Sequence, residues 1–280
     1  GVGSTDLAAI MLTGKTWLKV PPTIRMEVTG RLNPGVEAKD LALAMVGTLG
    51  IAGATYQAVE ICGEAIRPLS LDERMTIANL GIEMGAKVAI LHPEGLELPY
   101  PFDADAIRPD PGAAYVRRVE IDGSALRPQI SKPPMPDNTV PIDELLGTPV
   151  HCAFIGTCVN GRLRDLHAAA RILAGRKVAP GVRLLIAPAS RQVFLDAARD
   201  GTLATLTEAG ASFLPSGCGP CVGTHNGVPG DGETVLSTAN RNFKGRMGNP
   251  QAQIYLASPT VVAAAAVAGR IVDPAELVGE

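Results

Sequence analysis

The sequence predicts an α/β fold: two three-layer α/β/α halves joined by a proline-rich connection. Three observations carry that expectation. Strand-like and helix-like stretches alternate through residues 23–91 and again from Val150 onward, the pattern of sheets covered by crossover helices. Ten prolines fall between Pro99 and Pro149, among them Pro133-Pro134 and Pro136, and they break any long regular element. Cysteines and glycines gather just behind two predicted strands of the second half, where open α/β sheets bind ligands.

Taken in order, Thr23 to Gly30 alternates apolar and polar residues as a half-buried strand does. Glu37 to Leu49 places Leu41, Ala44, Met45 and Thr48 at helical spacing, with Gly50 as its stop. Tyr56 to Cys62 reads as a second strand. Ser70-Leu71-Asp72-Glu73 is a capping box that opens a helix running to Met84, closed by Gly85. Lys87 to Leu91 is a third strand. Inside the proline-rich stretch only Tyr115 to Ile121 looks like a strand. The alternation then resumes with a strand at Val150 to Ile155, a helix at Arg162 to Leu173 and a strand at Val182 to Ala187. A helix at Arg191 to Arg199 and a short strand at Ser212 to Leu214 follow, and Val261 to Val267 reads as a buried helix. This divides the chain into residues 1–22, an α/β domain over 23–98, the connection over 99–149, and an α/β domain over 150–280.

Composition narrows the function. The chain has 280 residues, which at ~150 residues per domain gives two, and 46% of them are hydrophobic, enough for a core. Aromatics are only 4%, so aliphatic side chains fill the interior. A net charge of −3 with no basic block argues against a nucleic-acid surface. No apolar run approaches the ~18 residues of a membrane helix, and the first residues lack a secretory n-region. Five unevenly placed cysteines do not form a disulfide framework, so a reducing, cytoplasmic setting is expected.

Three constellations carry chemistry. Cys158 (IGTCVNGR) and the pair Cys218 and Cys221 (SGCGPCVG) put three thiols on two glycine-flanked loops behind strands. Three thiolates suit a soft metal centre, and three ligands leave one position open, as a Lewis-acid catalyst requires. Buried core cysteine is the plain alternative for any single thiol, and Cys62 and Cys152, inside strands, fit it. C-G-P-C also matches a thiol–disulfide redox pair. That chemistry wants a helix behind the first thiol, and the glycines of Val222 to Gly227 oppose one. In the second constellation, Asn240-Arg241-Asn242-Phe243-Lys244-Gly245-Arg246, two guanidiniums in a glycine-containing loop can grip carboxylates. The third is Asn79 and Glu83, four apart on the capped helix and flanking Met75, Ala78 and Ile82. A solvated face is the plain reading of both. None of the histidines has metal-ligand spacing with another, and His225 alone lies near the thiol loop.

Together IGTCVNGR, CGPCVG and STANRNFKGRMGNP resemble the aconitase superfamily, in its isopropylmalate dehydratase and homoaconitase large-subunit branch. GVGSTDLAAIMLTGKTWLKVP, LSLDERMTIANLGIEMGAK and YLASPTVVAAAAVAG extend the resemblance over essentially the whole chain. It implies that Cys158, Cys218 and Cys221 ligate a [4Fe–4S] cluster with an open fourth iron. Asn240 would approach the cluster, Arg241 and Arg246 would hold substrate carboxylates, and Asn79 and Glu83 would face the cluster and its bound water or hydroxyl. The implied reaction isomerises 2-isopropylmalate and 3-isopropylmalate by dehydration and rehydration, in leucine biosynthesis. Homoaconitase and 2,3-dimethylmalate dehydratase are the alternatives within the family, and the substrate is a small di- or tricarboxylate hydroxy acid.

The resemblance also implies a partner, a small swivel-domain subunit that supplies a serine base. Residues 1–22 resemble the last helix of a preceding domain whose Asp- and His-rich motifs are not in this sequence, so the chain is expected to be an incomplete catalyst. Val159 stands where relatives commonly have Thr. Outside the family the competing readings are a thiol–disulfide oxidoreductase using Cys218 and Cys221, and a non-catalytic fragment.

Overall fold

The computed structural model describes residues 2–98, 100–103 and 108–278; Gly1, Pro99, residues 104–107 and the last two residues, which belong to the segments delimited above, lie outside that description. Two sheets organise it. The first holds β1 (Thr23–Thr29), β2 (Ala58–Cys62), β3 (Val88–Leu91) and β4 (Arg117–Asp122) in the order β3-β2-β1-β4, all parallel. The second holds β5 (Gln129–Ser131), β6 (Thr139–Pro141), β7 (Cys152–Gly156), β8 (Arg183–Ala187), β9 (Ser212–Phe213), β10 (Thr234–Ser237) and β11 (Gln253–Leu256). Its order is β6-β5-β11-β10-β7-β8-β9, parallel from β11 to β9 and antiparallel at the β5 and β6 edge. The stretch expected to be a connection therefore also supplies β4 to one sheet and β5 and β6 to the other.

The second sheet is doubly wound. From β7 the chain passes through α5 (Leu163–Leu173) to β8, and through α6 (Arg191–Arg199) and α7 (Thr202–Ala209) to β9, moving toward one edge. It then returns to the other side of β7 with β10 and β11, and α8 (Pro259–Ala268) follows. β7 is buried at every residue, as a central parallel strand is. Its alternate residues feed two cores: Ala153 and Ile155 pack with Leu166, Ile172 and the valines and alanines of α8. Cys152 and Phe154 face the other way and share a core with Ile24, Met26 and Ile61 of the first sheet and with α2 (Ala38–Leu49).

The layers thus run sheet, helix, sheet, helix. The second sheet has the expected three layers, while the first shares its helical layer with the second. On its outer face Val88 and Ile90 stay 42% and 41% exposed. Because α2 lies between sheets, it is buried nearly all round, and the buried set includes Lys39 and Asp40 besides Leu41, Leu43, Met45 and Val46. Thr48, expected on the apolar stripe, is exposed.

α3 (Leu71–Leu80) begins as expected: the Ser70 side chain accepts from the Glu73 N–H, and Glu73 accepts from the Ser70 N–H at 2.9 Å. Its final turn, Gly81–Met84, is a 3₁₀ turn closed by Gly85 at φ +79°. The inward face is Arg74, Ile77, Leu80 and Met84, whereas Met75 and Ile82 are exposed. The remaining helices are α1 (Ser4–Thr13), which has no buried residue, the single turn α4 (Thr157–Asn160) and α9 (Ala275–Val278). Among the described residues no helix is long and apolar enough to cross a membrane.

Buried ionisable groups make stability depend on pH. Burial pushes Asp40 and Asp165 each up to about 7, although Asp40 accepts from the N–H groups of Glu37 and Gln129, and Asp165 from Arg162 N–H and Asn160 Nδ2. Burial pulls Lys39 down to about 8. A carboxyl raised in the fold binds its proton more tightly there than in the unfolded chain, where the value is about 4. Its contribution is thus present below pH ~4 and lost as pH rises through 7. Lys39, lowered in the fold, gives back stability only as pH rises above about 8. The melting midpoint should therefore fall between pH 5 and pH 7.5, less steeply in Asp40→Asn. Scanning calorimetry at fixed ionic strength checks this, and a midpoint rising over that range contradicts it.

Candidate active site at the switch point of the second sheet

Strand order in the second sheet reverses between β7 and β10, so the loops leaving their carboxyl ends diverge and open a crevice. The ends are tied together by one side chain. Thr238 Oγ1 accepts from Gly156 N–H at 2.9 Å and donates to Gly156 O at 3.1 Å, satisfying both backbone groups. Gly156 is required by space as well: a Cβ there would lie 2.7 Å from Ala187 O at the end of β8. Thr157 then adopts φ +78°, a left-handed conformation that a β-branched residue rarely takes. This strained residue directly precedes Cys158 and turns the chain into α4, which leaves the Cys158 side chain exposed.

Behind β9, Gly219–Val222 forms a four-residue 3₁₀ turn that starts from Cys218 and ends at Gly223, φ +69°. No helix follows, so the geometry lacks the long dipole a thiol–disulfide pair uses to lower its first thiol. A Cβ on Gly223 would run into the backbone of Gly248, so the cysteine loop sits directly on the arginine loop behind β10. Cys221 is half-buried. Burial pushes its thiol up, a hydrogen bond and the charge from Arg246 pull it down, and the proximity of Cys218 and Cys158 pushes it up again.

The arginine loop meets the end of α3. Asn240 Nδ2 donates to Asn79 Oδ1 at 2.6 Å, and Arg241 Nε donates to Glu83 Oε1 at 2.8 Å. The Glu83 side chain is only 5% exposed against 38% for Arg241, so the carboxylate anchors the guanidinium from behind. Asn79 lies in α3 and Glu83 in its 3₁₀ turn, and both still reach the same opening.

All eight residues singled out from the sequence, Asn79, Glu83, Cys158, Cys218, Cys221, Asn240, Arg241 and Arg246, line one cavity of about 250 Å³. Thr157, Ile82, Pro188, Ala189 and Gly217 complete its wall. Sequence reasoning missed Thr157 and Thr238, and it missed Lys39, whose Nζ reaches this loop from α2. The only signal for the threonines was their place beside the glycine-flanked strand ends. His225 packs beside Gly219 at the back of the cysteine turn and does not line the cavity.

Among the described residues, no three His, Cys, Asp or Glu side chains are grouped to hold a single metal ion. Cys158, Cys218 and Cys221 all line the cavity, and thiolates as soft donors suit an iron–sulfur group.

Three thiols, two arginines and a buried carboxylate thus meet at the switch point of a doubly wound sheet. The chain belongs to the aconitase family (aconitate hydratase), whose model matches residues 1–149 and 144–269. It is similar to the homoaconitase large subunit of Thermus thermophilus, 53% identical over 99% of this chain and 66% of that protein. It is equally similar, at 53% identity, to 3-isopropylmalate dehydratase large subunit 1 of Deinococcus radiodurans, covering 99% of this chain and 64% of that one. The 3-isopropylmalate dehydratase large subunit 2 of Archaeoglobus fulgidus is 49% identical over 99% and 68%. The chain thus spans about two thirds of the length of these relatives. Among solved structures, aconitase X from Thermococcus kodakaraensis matches 79% of this chain at 14% identity with a TM-score of 0.47.

Proposed function

We propose that this chain is the metal-binding and carboxylate-clamping part of a hydro-lyase large subunit that interconverts 2-isopropylmalate and 3-isopropylmalate in leucine biosynthesis. The observation that supports this most directly is the meeting of all eight residues in one cavity at the sheet's switch point. A homoaconitase activity is the second reading, supported by the 53% identity to the Thermus thermophilus subunit.

Cys158, Cys218 and Cys221 are the residues that would hold a [4Fe–4S] cluster. When bound through three thiolates, such a cluster supplies a Lewis-acidic open iron for a substrate hydroxyl and carboxylate. The chain's own residues do the rest of the binding. Arg241, with Nε engaged by Glu83, offers its terminal nitrogens as a fork for one carboxylate. Arg246 adds a second positive charge beside Cys221. These charges offset the negative charge of the diacid as it grows during removal of the carbon-bound proton. Asn240 and Asn79 present amide groups at the mouth, oriented by their mutual hydrogen bond. The proton acceptor is assigned to a small partner subunit, in line with the large-subunit names of the relatives.

The test is anaerobic reconstitution of the chain with iron and sulfide, followed by mild oxidation and EPR. A three-iron signal that disappears in Cys158→Ala is expected. Free iron in solution, with Cys218 and Cys221 joined as a disulfide, would sink the reading.

A further inference from the structure

Lys39 is a lysine with 1% of its surface exposed, on a helix that belongs to the first sheet. Its ammonium nevertheless ends at the carboxyl end of β10 in the second sheet. Nζ donates to Thr238 O at 3.1 Å, to Ala239 O at 2.9 Å and to Asn240 Oδ1 at 3.3 Å. An ammonium has three donors and no acceptor, and here each donor has one oxygen. All three acceptors belong to the three residues that precede Arg241.

A donor-only neighbour has a consequence for a side-chain amide, whose two ends are opposite in character. With Lys39 against it, Asn240 can offer only Oδ1 on that side, and its NH2 must face the other way. There it meets Asn79 at 2.6 Å, and Asn79 accepts through Oδ1, so the NH2 of Asn79 in turn is directed onward. Flipping Asn240 would set its NH2 against the ammonium and its oxygen against Asn79 Oδ1, and flipping Asn79 would set two NH2 groups against each other. The chain Lys39, Asn240, Asn79 therefore has one direction, fixed at its buried end.

We propose that Lys39 is a positioning residue for this site: its ammonium sets the polarity of the Asn240–Asn79 pair, so that the cavity is presented with amide donors, and it holds the turn from which Arg241 projects. Donors at that mouth suit thiolates and the carboxylates of a hydroxy diacid, and in naming that ligand the inference rests on the function proposed above. Burial pulls Lys39 down to about 8, and the carboxylates of Asp165, Glu83 and Asp40 oppose that pull, so the ammonium persists at neutral pH.

The side-chain amide signals of the 280-residue chain, labelled with 15N, read the polarity directly. The Asn240 pair is identified by its loss in Asn240→Asp. In the unsubstituted protein the Asn240 NH2 pair should be shifted and slow to exchange, and Asn79, whose Oδ1 accepts from it, should give its own distinct pair. Lys39→Met should move both toward free-amide positions, although Asn79 does not touch residue 39. Leu41→Ala, a core change on the same helix, should leave them in place. Unmoved signals in Lys39→Met, or equal movement in Leu41→Ala, would overturn the proposal.

If Lys39→Met does not fold, the unsubstituted protein still decides. Its Lys39 ammonium protons should be slow to exchange and show a contact with the turn at Asn240, and their absence counts against the idea. In the iron-reconstituted chain, Lys39→Met should weaken binding of 2-isopropylmalate by about tenfold. Failure of the unsubstituted chain to bind this probe would count against the proposed function alone, because the amide signals report on Lys39 without any ligand.

Discussion

Replacing Arg74 by methionine should lower the unfolding free energy by about 3–5 kcal/mol, the loss typical of leaving several buried polar groups without a partner. Arg74 is only 4% exposed, and its guanidinium is spent entirely on main chain. Nε donates to Leu69 O at 3.0 Å, Nη1 to His92 O at 2.5 Å, and Nη2 to Arg67 O at 2.9 Å and Glu94 O at 2.7 Å. One planar fork thus closes the loops that leave both β2 and β3. Methionine fills the space without donating, so all four carbonyls lose their partner, and that of buried Leu69 loses it away from water. Lysine should recover only part of the loss, because a single ammonium cannot span the same four oxygens. Urea unfolding with an unchanged m-value is the measurement, and a shift below about 1 kcal/mol would show that water replaces the guanidinium.

Arg241→Ala carries the largest expected effect on turnover. In an active enzyme that contains this chain and the proposed small subunit, kcat/KM should fall by about 10²–10³-fold, the size seen when one charge-stabilising donor is removed. The substitution does two things that can be separated. It removes the carboxylate fork proposed for Arg241, and it leaves Glu83, with a side chain 5% exposed, without the Nε donor at 2.8 Å. The second effect is one of stability, about 1–3 kcal/mol. Arg241→Ala combined with Glu83→Gln should restore much of that stability and none of the turnover. A loss of less than tenfold in kcat/KM would remove Arg241 from the clamp.

The sequence and the structure agree most where local signals are strong. Ile24, Met26 and Val28 alternate with polar residues, and β1 follows that alternation. The candidate site was legible because its loops carry unusual residues: cysteines that gather at one cavity, and glycines where backbones nearly touch, as at Gly156 and Gly223. What stayed hidden depends on contacts far along the chain. Lys39 and Asp40 read as the polar first turn of a helix, and they are buried only because two sheets close over α2. Arg74 follows a capping box like any solvated arginine, yet its partners lie on two other loops. β5 and β6 are three residues each amid prolines, and their pairing at the sheet edge leaves no period to read. Met75 and Ile82 look like core positions but are exposed, and Ile82 lines the cavity instead.

The shared helical layer has a consequence for how the molecule comes apart. Ile24 and Met26 of one sheet and Cys152 and Phe154 of the other are parts of a single apolar body with α2 between them. Neither half can loosen without baring the face it lends to the other, so the two behave as one cooperative unit rather than as beads on a string. Amide protons in β1 and β7 should then exchange through the same rare global opening. The sequence boundary between the halves does not mark a place where the protein can be cut.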